Sequence, residues 1–198
     1  MRDSYDPLLQ KYRKTAYNIH PLLFNRWSPR SMSGEKMTEE ELLPLFEAAS
    51  FAPSSYNAQP WKFVYAKRDD ADWNQFFSLL VEFNQNWVKN AAALILVISR
   101  ETFEHNNKPS VTHSFDAGAA WMSLALEGTY RGYVVHGMQG FDYQKAKELL
   151  RIPEPYAVEA MIAIGKPAQK SALSNELQKI EVPSTRKPLQ EIIHLGAF

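Results

Sequence analysis

Ala52-Pro53-Ser54-Ser55-Tyr56-Asn57-Ala58-Gln59-Pro60-Trp61 carries more information than any other stretch of this 198-residue chain. Prolines near both ends keep a helix from running through it, because each lacks an N–H and restricts the residue before it. Between them, Ser54, Ser55, Asn57 and Gln59 offer hydroxyl and amide donors and acceptors on a rigid turn. Such a turn suits the edge of a flat polar heterocycle. It suits equally a helix-to-strand connection whose turn residues satisfy one another. The flanks make it a junction of that kind. Upstream, Thr38-Glu39-Glu40-Glu41 reads as a capping box. Leu42, Leu45, Phe46 and Ala49 then recur at helical spacing until Pro53 stops them. Downstream, 61–66 alternates as a strand does, with Lys62 and Tyr65 breaking strict alternation.

Further out, 70–83 predicts a helix with Trp73, Phe76, Phe77 and Leu80 on one stripe. The apolar run 91–99 is short and β-branched, as in a strand buried on both faces. The longest helix is predicted over 112–130. Its face of Ala117, Ala120, Trp121, Leu124 and Ala125 suits close packing in a core or a dimer interface. Gly132 ends it, 133–135 is a brief strand, Asp142 caps a helix to 150, and 156–164 is a last strand before Gly165 and Pro167. Toward the N-terminus, 1–25 is an extension with helical character around Leu8, Leu9 and Tyr12, and Pro21 should end any helix before it. Residues 26–37 are irregular, broken by Pro29 and Gly34. The segment 170–187 is long for an unstructured part of a compact domain. The tail 170–198 is expected to wrap a partner subunit. Four strands interleaved with four or more helices predict a mixed α/β arrangement in a single domain over 1–198.

Composition narrows the function. Apolar residues make up 45 % of the chain, enough for a substantial core. The 22 basic and 22 acidic residues cancel, which argues against nucleic acid or an anionic membrane as partner and favours self-association. There is no cysteine, so thiolate chemistry, disulfides and Cys-ligated zinc are excluded. The apolar run at 91–98 falls well short of the roughly 20 residues that span a bilayer. The first residues contain no apolar signal core, and a cytoplasmic protein is expected. The five histidines form no metal-ligand motif, so no metal is expected. His136 is read as packed or solvated, with contact to substrate as the alternative.

Arg26-Trp27-Ser28-Pro29-Arg30 is the second informative stretch. In an extended segment Arg26, Ser28 and Arg30 share a face, and two guanidinium groups with a hydroxyl make a phosphate clamp. The alternative is a pair of surface arginines around a Ser-Pro turn.

With these two stretches in view, the chain resembles the FMN-dependent nitroreductase family. Four more motifs follow in that family's order: Asn84-Gln85-Asn86-Trp87-Val88, Asp116-Ala117-Gly118-Ala119-Ala120, His136-Gly137-Met138-Gln139-Gly140-Phe141-Asp142, and Arg186-Lys187-Pro188-Leu189. Each is short, but together the set spans 26–189. The resemblance implies an α+β, three-layer fold, with a mixed central sheet flanked by helices, in an intertwined homodimer. It implies bound FMN, with NADH or NADPH as co-substrate and a nitroaromatic, quinone or related small molecule as electron acceptor, in a ping-pong reaction. By the same resemblance, Arg26, Trp27, Ser28 and Arg30 hold the phosphate and one ring edge, and Arg186 closes on the phosphate. Pro53, Ser54, Ser55 and Asn57 serve the partner's flavin, Asn84 meets the pyrimidine edge, and Gln139 and Gly140 lie beside the ring. No side chain is assigned a catalytic role, since the flavin carries the chemistry.

Two positions depart from the pattern. Gln139 stands where many relatives have an acidic residue, and Ser184 stands where some have a lysine of the phosphate clamp; Lys187 and Lys166 are the substitutes within reach in sequence. Residues 103–113 read as a surface loop, or as a lid over the flavin. A flavin carrier or sensor without turnover fits the same motifs. So does a specialised member that dehalogenates, dehydrogenates or degrades a flavin.

Overall fold

A computed structural model describes residues 4–198; the first three residues of the expected N-terminal extension lie outside it. The strand β2 (Ala93–Arg100) is buried at every position but its last, so it needs cover on both faces. Its neighbours are β1 (Trp61–Lys67), β3 (Val134–Met138) and β4 (Tyr156–Gly165), in the spatial order β1-β2-β4-β3. Alternation sorts the side chains of β2 between two layers. Leu94, Leu96 and Ile98 pack on one face with Met161 and Ala163. Ile95 and Val97 pack on the other with Ile162 and Ile164.

Two helices cover the second face. The capping box forms as expected: Thr38 Oγ1 accepts from the Glu41 N–H, and the Glu41 side chain accepts from the Thr38 N–H. This opens α3 (Glu39–Ser50), which buries Leu42, Leu45 and Ala49. Beside it lies α6 (His113–Tyr130), with Ala117, Ala120, Leu124 and Ala125 inward. A Cβ on Gly128 would stand 2.3 Å from Val135 Cγ2, so helix and sheet meet there more closely than alanine allows. The first face is covered by α4 (Trp73–Phe77), α5 (Glu82–Val88), α7 (Tyr143–Leu149) and α8 (Asn175–Ile180), through Phe76, Trp87, Val88, Ala146 and Leu177. The result is the α+β, three-layer arrangement. Among the described residues no helix is long and apolar enough to cross a membrane.

Four details differ from expectation. Within this chain the sheet is antiparallel at every pairing rather than mixed. Because β2 and β3 are both antiparallel to β4, they run parallel to each other with α6 as their crossover, and β4 is inserted between them. The strand–helix–strand pattern is present, but its two strands are not hydrogen-bonded neighbours. The helix predicted over 70–83 is broken, because the Val81 N–H donates to the Gly140 carbonyl at 3.1 Å and Leu80 bridges Phe141. That pairing overrides the helical period. Pro21 begins α2 (Pro21–Asn25) instead of ending a helix, since a proline at the first position lacks only an N–H that the helix leaves unpaired. Finally, 170–181 does not reach away as a tail: Leu173 and Leu177 are buried in the chain's own core.

Candidate functional site

α2 ends at Asn25 and the chain leaves it extended, Arg26 having φ −68° and ψ 123°. Successive side chains then face opposite ways. Arg26 donates from Nη2 to Ser28 Oγ at 3.1 Å. Trp27 and Pro29 instead line a cavity of about 740 Å³ against the C-terminal half of α6. The Arg26 guanidinium rests 4.8 Å from the centre of the Trp121 ring, a cation–π contact. Trp121 sits where it does because Gly137 leaves room: a Cβ there would lie 2.5 Å from Trp121 Nε1. Gly137→Ala is expected to cost about 1–3 kcal/mol through overpacking, read as a lowered Tm. A Tm equal to wild type would mean that the indole is not confined by this glycine.

Arg30 is engaged by a carboxylate, while its Nε is buried without a hydrogen-bond partner. It pairs with Glu181 at 3.6 Å, and Glu181 Oε1 also accepts from the N–H groups of Arg30 and Ser31 at 2.7 and 2.9 Å. Glu181 is the residue that closes α8, so the segment expected to be a loose tail captures this arginine. The place beside Arg26 is taken by Arg13, which sequence reading missed. Arg13 is only 5 % exposed. It donates from Nη1 to the carbonyls of Phe24 and Arg26, both at 2.8 Å, and from Nε to the Ser184 carbonyl at 3.0 Å. Arg186 is exposed, and its hydrogen bonds run to the Ser184 and Thr185 carbonyls and Ser184 Oγ.

Arg13, Arg26 and Arg186 therefore stand close together with no carboxylate paired to them among the described residues. Burial, then the charges of Arg186 and Arg26, push the Arg13 pKa down to about 10. Burial and Arg186 lower that of Arg26 as well. Like charges gathered in a partly desolvated place oppose one another unless an anion lies among them. Lys166 takes no part, being paired with Glu41 at 3.2 Å and Glu35 at 3.7 Å.

Behind the clamp segment lies His136 on β3, its Nδ1 2.9 Å from the Pro29 carbonyl and its ring 4.6 Å from that of Trp87. It is a packed residue that holds the segment 26–30 against the sheet. Burial drives its pKa down to about 4, helped by Arg30 and Arg26 and opposed by the Pro29 carbonyl. The unfolded chain takes up this proton near pH 6.5. Between those values the unfolded state binds more protons, so stability falls as pH falls through the window from 6.5 to about 4. His136→Gln is expected to flatten that part of a Tm–pH curve; an unchanged slope would assign the loss to other groups.

Asn84 lies on α5 with its carboxamide engaged inside the chain. Nδ2 donates to the Gly140 carbonyl at 3.0 Å, and Oδ1 accepts from Trp87 Nε1 at 3.2 Å. A Cβ on Gly140 would stand 2.5 Å from Asn84 Nδ2, so a side chain there would push the Asn84 carboxamide out of its place. Gln139 precedes it, its carbonyl accepting from the Phe141 N–H at 2.9 Å.

The junction after α3 is a tight 3-10 turn, Ser55–Asn57. Tyr56, Asn57 and Gln59 have positive φ values of 52°, 54° and 47°, a conformation that side chains other than glycine adopt at a cost. Gln59 N–H donates to Ser54 Oγ at 3.0 Å, and Ser55 N–H donates to Asp116 Oδ2 at 3.1 Å, in the first turn of α6. Those bonds hold the turn rigid, while Tyr56 is 89 % exposed. Among the described residues, none of its hydrogen bonds reaches Arg26, Asn84, Gly140 or Arg186. Residues 102–109 form a small self-bonded hairpin, with a bridge between Thr102 and Pro109 and the Phe103 ring edge-on to Tyr56 at 5.7 Å.

The structure thus brings Arg26, Ser28 and Arg186 together, adds Arg13, pairs Arg30 with Glu181, joins Asn84 to Gly140, and leaves the turn at 53–57 facing outward. Comparison with known proteins gives this arrangement its context. The model of the nitroreductase family matches residues 23–166. The crystal structure of an oxidoreductase containing FMN is similar at 48 % identity and a TM-score of 0.90, over 94 % of this chain and 96 % of that one. Protein DrgA of Synechocystis is 30 % identical over 161 residues, 66 % of this chain and 75 % of that protein. An NADH dehydrogenase of Thermus thermophilus is 26 % identical over 201 residues, 85 % of this chain and 91 % of that protein.

Proposed function

The chain belongs to the nitroreductase family, and on that premise we propose that it is an FMN-dependent oxidoreductase using NADH or NADPH as electron donor. One observation carries the reading: the partly desolvated Arg13 and Arg26 gather with the exposed Arg186 and no carboxylate among them, and buried guanidinium nitrogens of Arg13 and Arg26 lack a hydrogen-bond partner. A phosphate supplies both the missing charge and the missing acceptors. The similar FMN-containing oxidoreductase supports FMN as its bearer, and the NADH dehydrogenase supports a nicotinamide donor.

In this reading Arg26, Ser28 and Arg186 hold the phosphate. Trp27 and Arg30 anchor the segment, one in the cavity beside α6 and the other on Glu181. Gln139 and Gly140 present backbone to the ring, and Asn84 fixes that backbone in place. When bound, the flavin supplies the acceptance and donation of hydride or electrons. The protein's part is to bind, orient and exclude water, and no side chain acts as nucleophile or general acid. Donor and acceptor take turns at one site, which gives ping-pong kinetics, and nitroaromatics and quinones are the acceptor classes to test.

The working form in this proposal is a homodimer. Phe115 on α6 is 80 % exposed, and a Cβ on Gly118 would meet nothing within 4 Å, as on a helix face awaiting cover. Leu189, Ile192, Ile193, Leu195 and Phe198 near the C-terminus are exposed as well. The outward turn of Pro53, Ser54, Ser55 and Asn57 then serves the partner's cofactor. The test is anaerobic: FMN-loaded protein mixed with NADH or NADPH should lose its visible flavin band within a turnover time and regain it on adding a quinone or nitroaromatic. Bleaching no faster than free FMN with the same nicotinamide would make this a binding protein and not a reductase.

A further inference from the structure

Arg13 lies outside the 23–166 span that matches the family model, and Ser184 occupies the place where the resemblance puts a lysine. Yet the phosphate end of the site has not lost a cation. Arg13 is buried, and fixes Arg26 through its carbonyl and the C-terminal segment through that of Ser184. Its Nη1 and Nε are used in this way, while its Nη2 is buried without a hydrogen-bond partner. A guanidinium has five N–H donors, and leaving the pair on Nη2 unmade in a buried place is costly. That cost is relieved if an acceptor arrives with the ligand. Arg186 spends its Nη1 on the neighbouring Ser184 and Thr185, so it does not supply that acceptor.

We propose that Arg13 is the third cationic arm of the phosphate site, its Nη2 donating to the phosphate of the flavin in the role that the resemblance gives to a lysine at position 184. The proposal rests on the flavin reading above. It makes the N-terminal segment part of the binding site, because Arg13 precedes the residues matched to the family and reaches into them at the carbonyls of Phe24 and Arg26. It also assigns Arg13 a defined share of recognition: the phosphate alone, and not the ring. Its removal should therefore cost FMN but not riboflavin, which has the same ring and no phosphate.

The experiment titrates flavin-free wild type, Arg13→Gln and Arg13→Lys with FMN and with riboflavin, following flavin fluorescence. Wild type should prefer FMN. Arg13→Gln should bind FMN about 10- to 100-fold more weakly, the range for hydrogen bonds to a charged group, with riboflavin affinity unchanged. Arg13→Lys should recover part of the preference through its charge. Riboflavin serves as the internal check on folding, so an equal loss for both ligands would reduce Arg13 to a structural tie and overturn the proposal. So would an unchanged FMN affinity. A cycle with Arg186→Ala separates direct from indirect action: the Arg13→Gln penalty should persist in that background, and its disappearance would mean that Arg13 acts only by placing Arg186. Wild type that binds neither flavin would overturn the flavin reading itself, a result distinct from all of these.

Discussion

Replacing Trp87 by alanine is expected to destabilise the fold by about 3–5 kcal/mol, the range for truncating a large buried aromatic. Trp87 is 1 % exposed and belongs to the core on the first face of the sheet. Three connections meet in it. Its ring packs against His136, which bonds the Pro29 carbonyl. Its Nε1 holds Asn84, and Asn84 in turn holds Gly140. Truncation thus opens a cavity and loosens both the clamp segment and the Gly140 loop. Trp87→Phe is the control, keeping most of the apolar contact while leaving Asn84 Oδ1 without its donor, and it should cost clearly less. Denaturant unfolding of the two variants checks this. A loss below about 1 kcal/mol for Trp87→Ala would mean that the core closes over the space and that Trp87 is no keystone.

Arg26→Ala should weaken FMN binding by about 1.5–3 kcal/mol, the worth of hydrogen bonds to a charged group, with little loss of flavin-free stability. The two effects have different origins. Without an anion, Arg26 adds repulsion to Arg13 and Arg186, and removing it relieves that repulsion while giving up the contact with Trp121. With the anion bound, the same charge is attractive. The bond from Arg13 survives the change, because it goes to the carbonyl of residue 26 and not to the side chain. Arg26→Lys should regain only part of the affinity, since an ammonium keeps the charge but not the planar fork. Equilibrium dialysis of FMN alongside thermal melts of the flavin-free protein would show both signs. A large stability loss with unchanged FMN affinity would make Arg26 a structural residue.

Much of the architecture could be read from periodicity. The run around 91–99 predicted a strand covered on both faces, and β2 is that strand. The capping box at Thr38 and Glu41 and the stop at Gly132, with its φ of 82°, mark boundaries that depend only on local chemistry. What could not be read depends on contacts distant in sequence. Nothing near Val81 shows that its N–H will bond Gly140, so the break between α4 and α5 was invisible. The strand order β1-β2-β4-β3 is set by where β4 arrives, which no local pattern records.

The site divides in the same way. Alternation placed Arg26 with Ser28, because extended backbone dictates it, whereas Trp27, expected with them from the resemblance, lines the cavity beside α6. It also placed Arg30 with Arg26, and there a distant carboxylate pairs with it: the Arg30 N–H donates to Glu181, 151 positions downstream. Arg13 carried no signal at all. It sits in a polar segment among other charged residues, and only its burial against Arg26 and Ser184 distinguishes it. Glycine positions were half legible: Gly140 was expected beside the ring, but not that its missing side chain makes room for Asn84.

In the proposed function the gathered arginines hold FMN. The most direct measurement is the visible absorbance of the purified protein, followed by chromatographic identification of whatever is released on denaturation. A protein that holds FMN on these arginines is yellow and releases FMN at close to one per chain, or is colourless and becomes yellow when FMN is added. A protein that is colourless and remains so in excess FMN would contradict the proposed function.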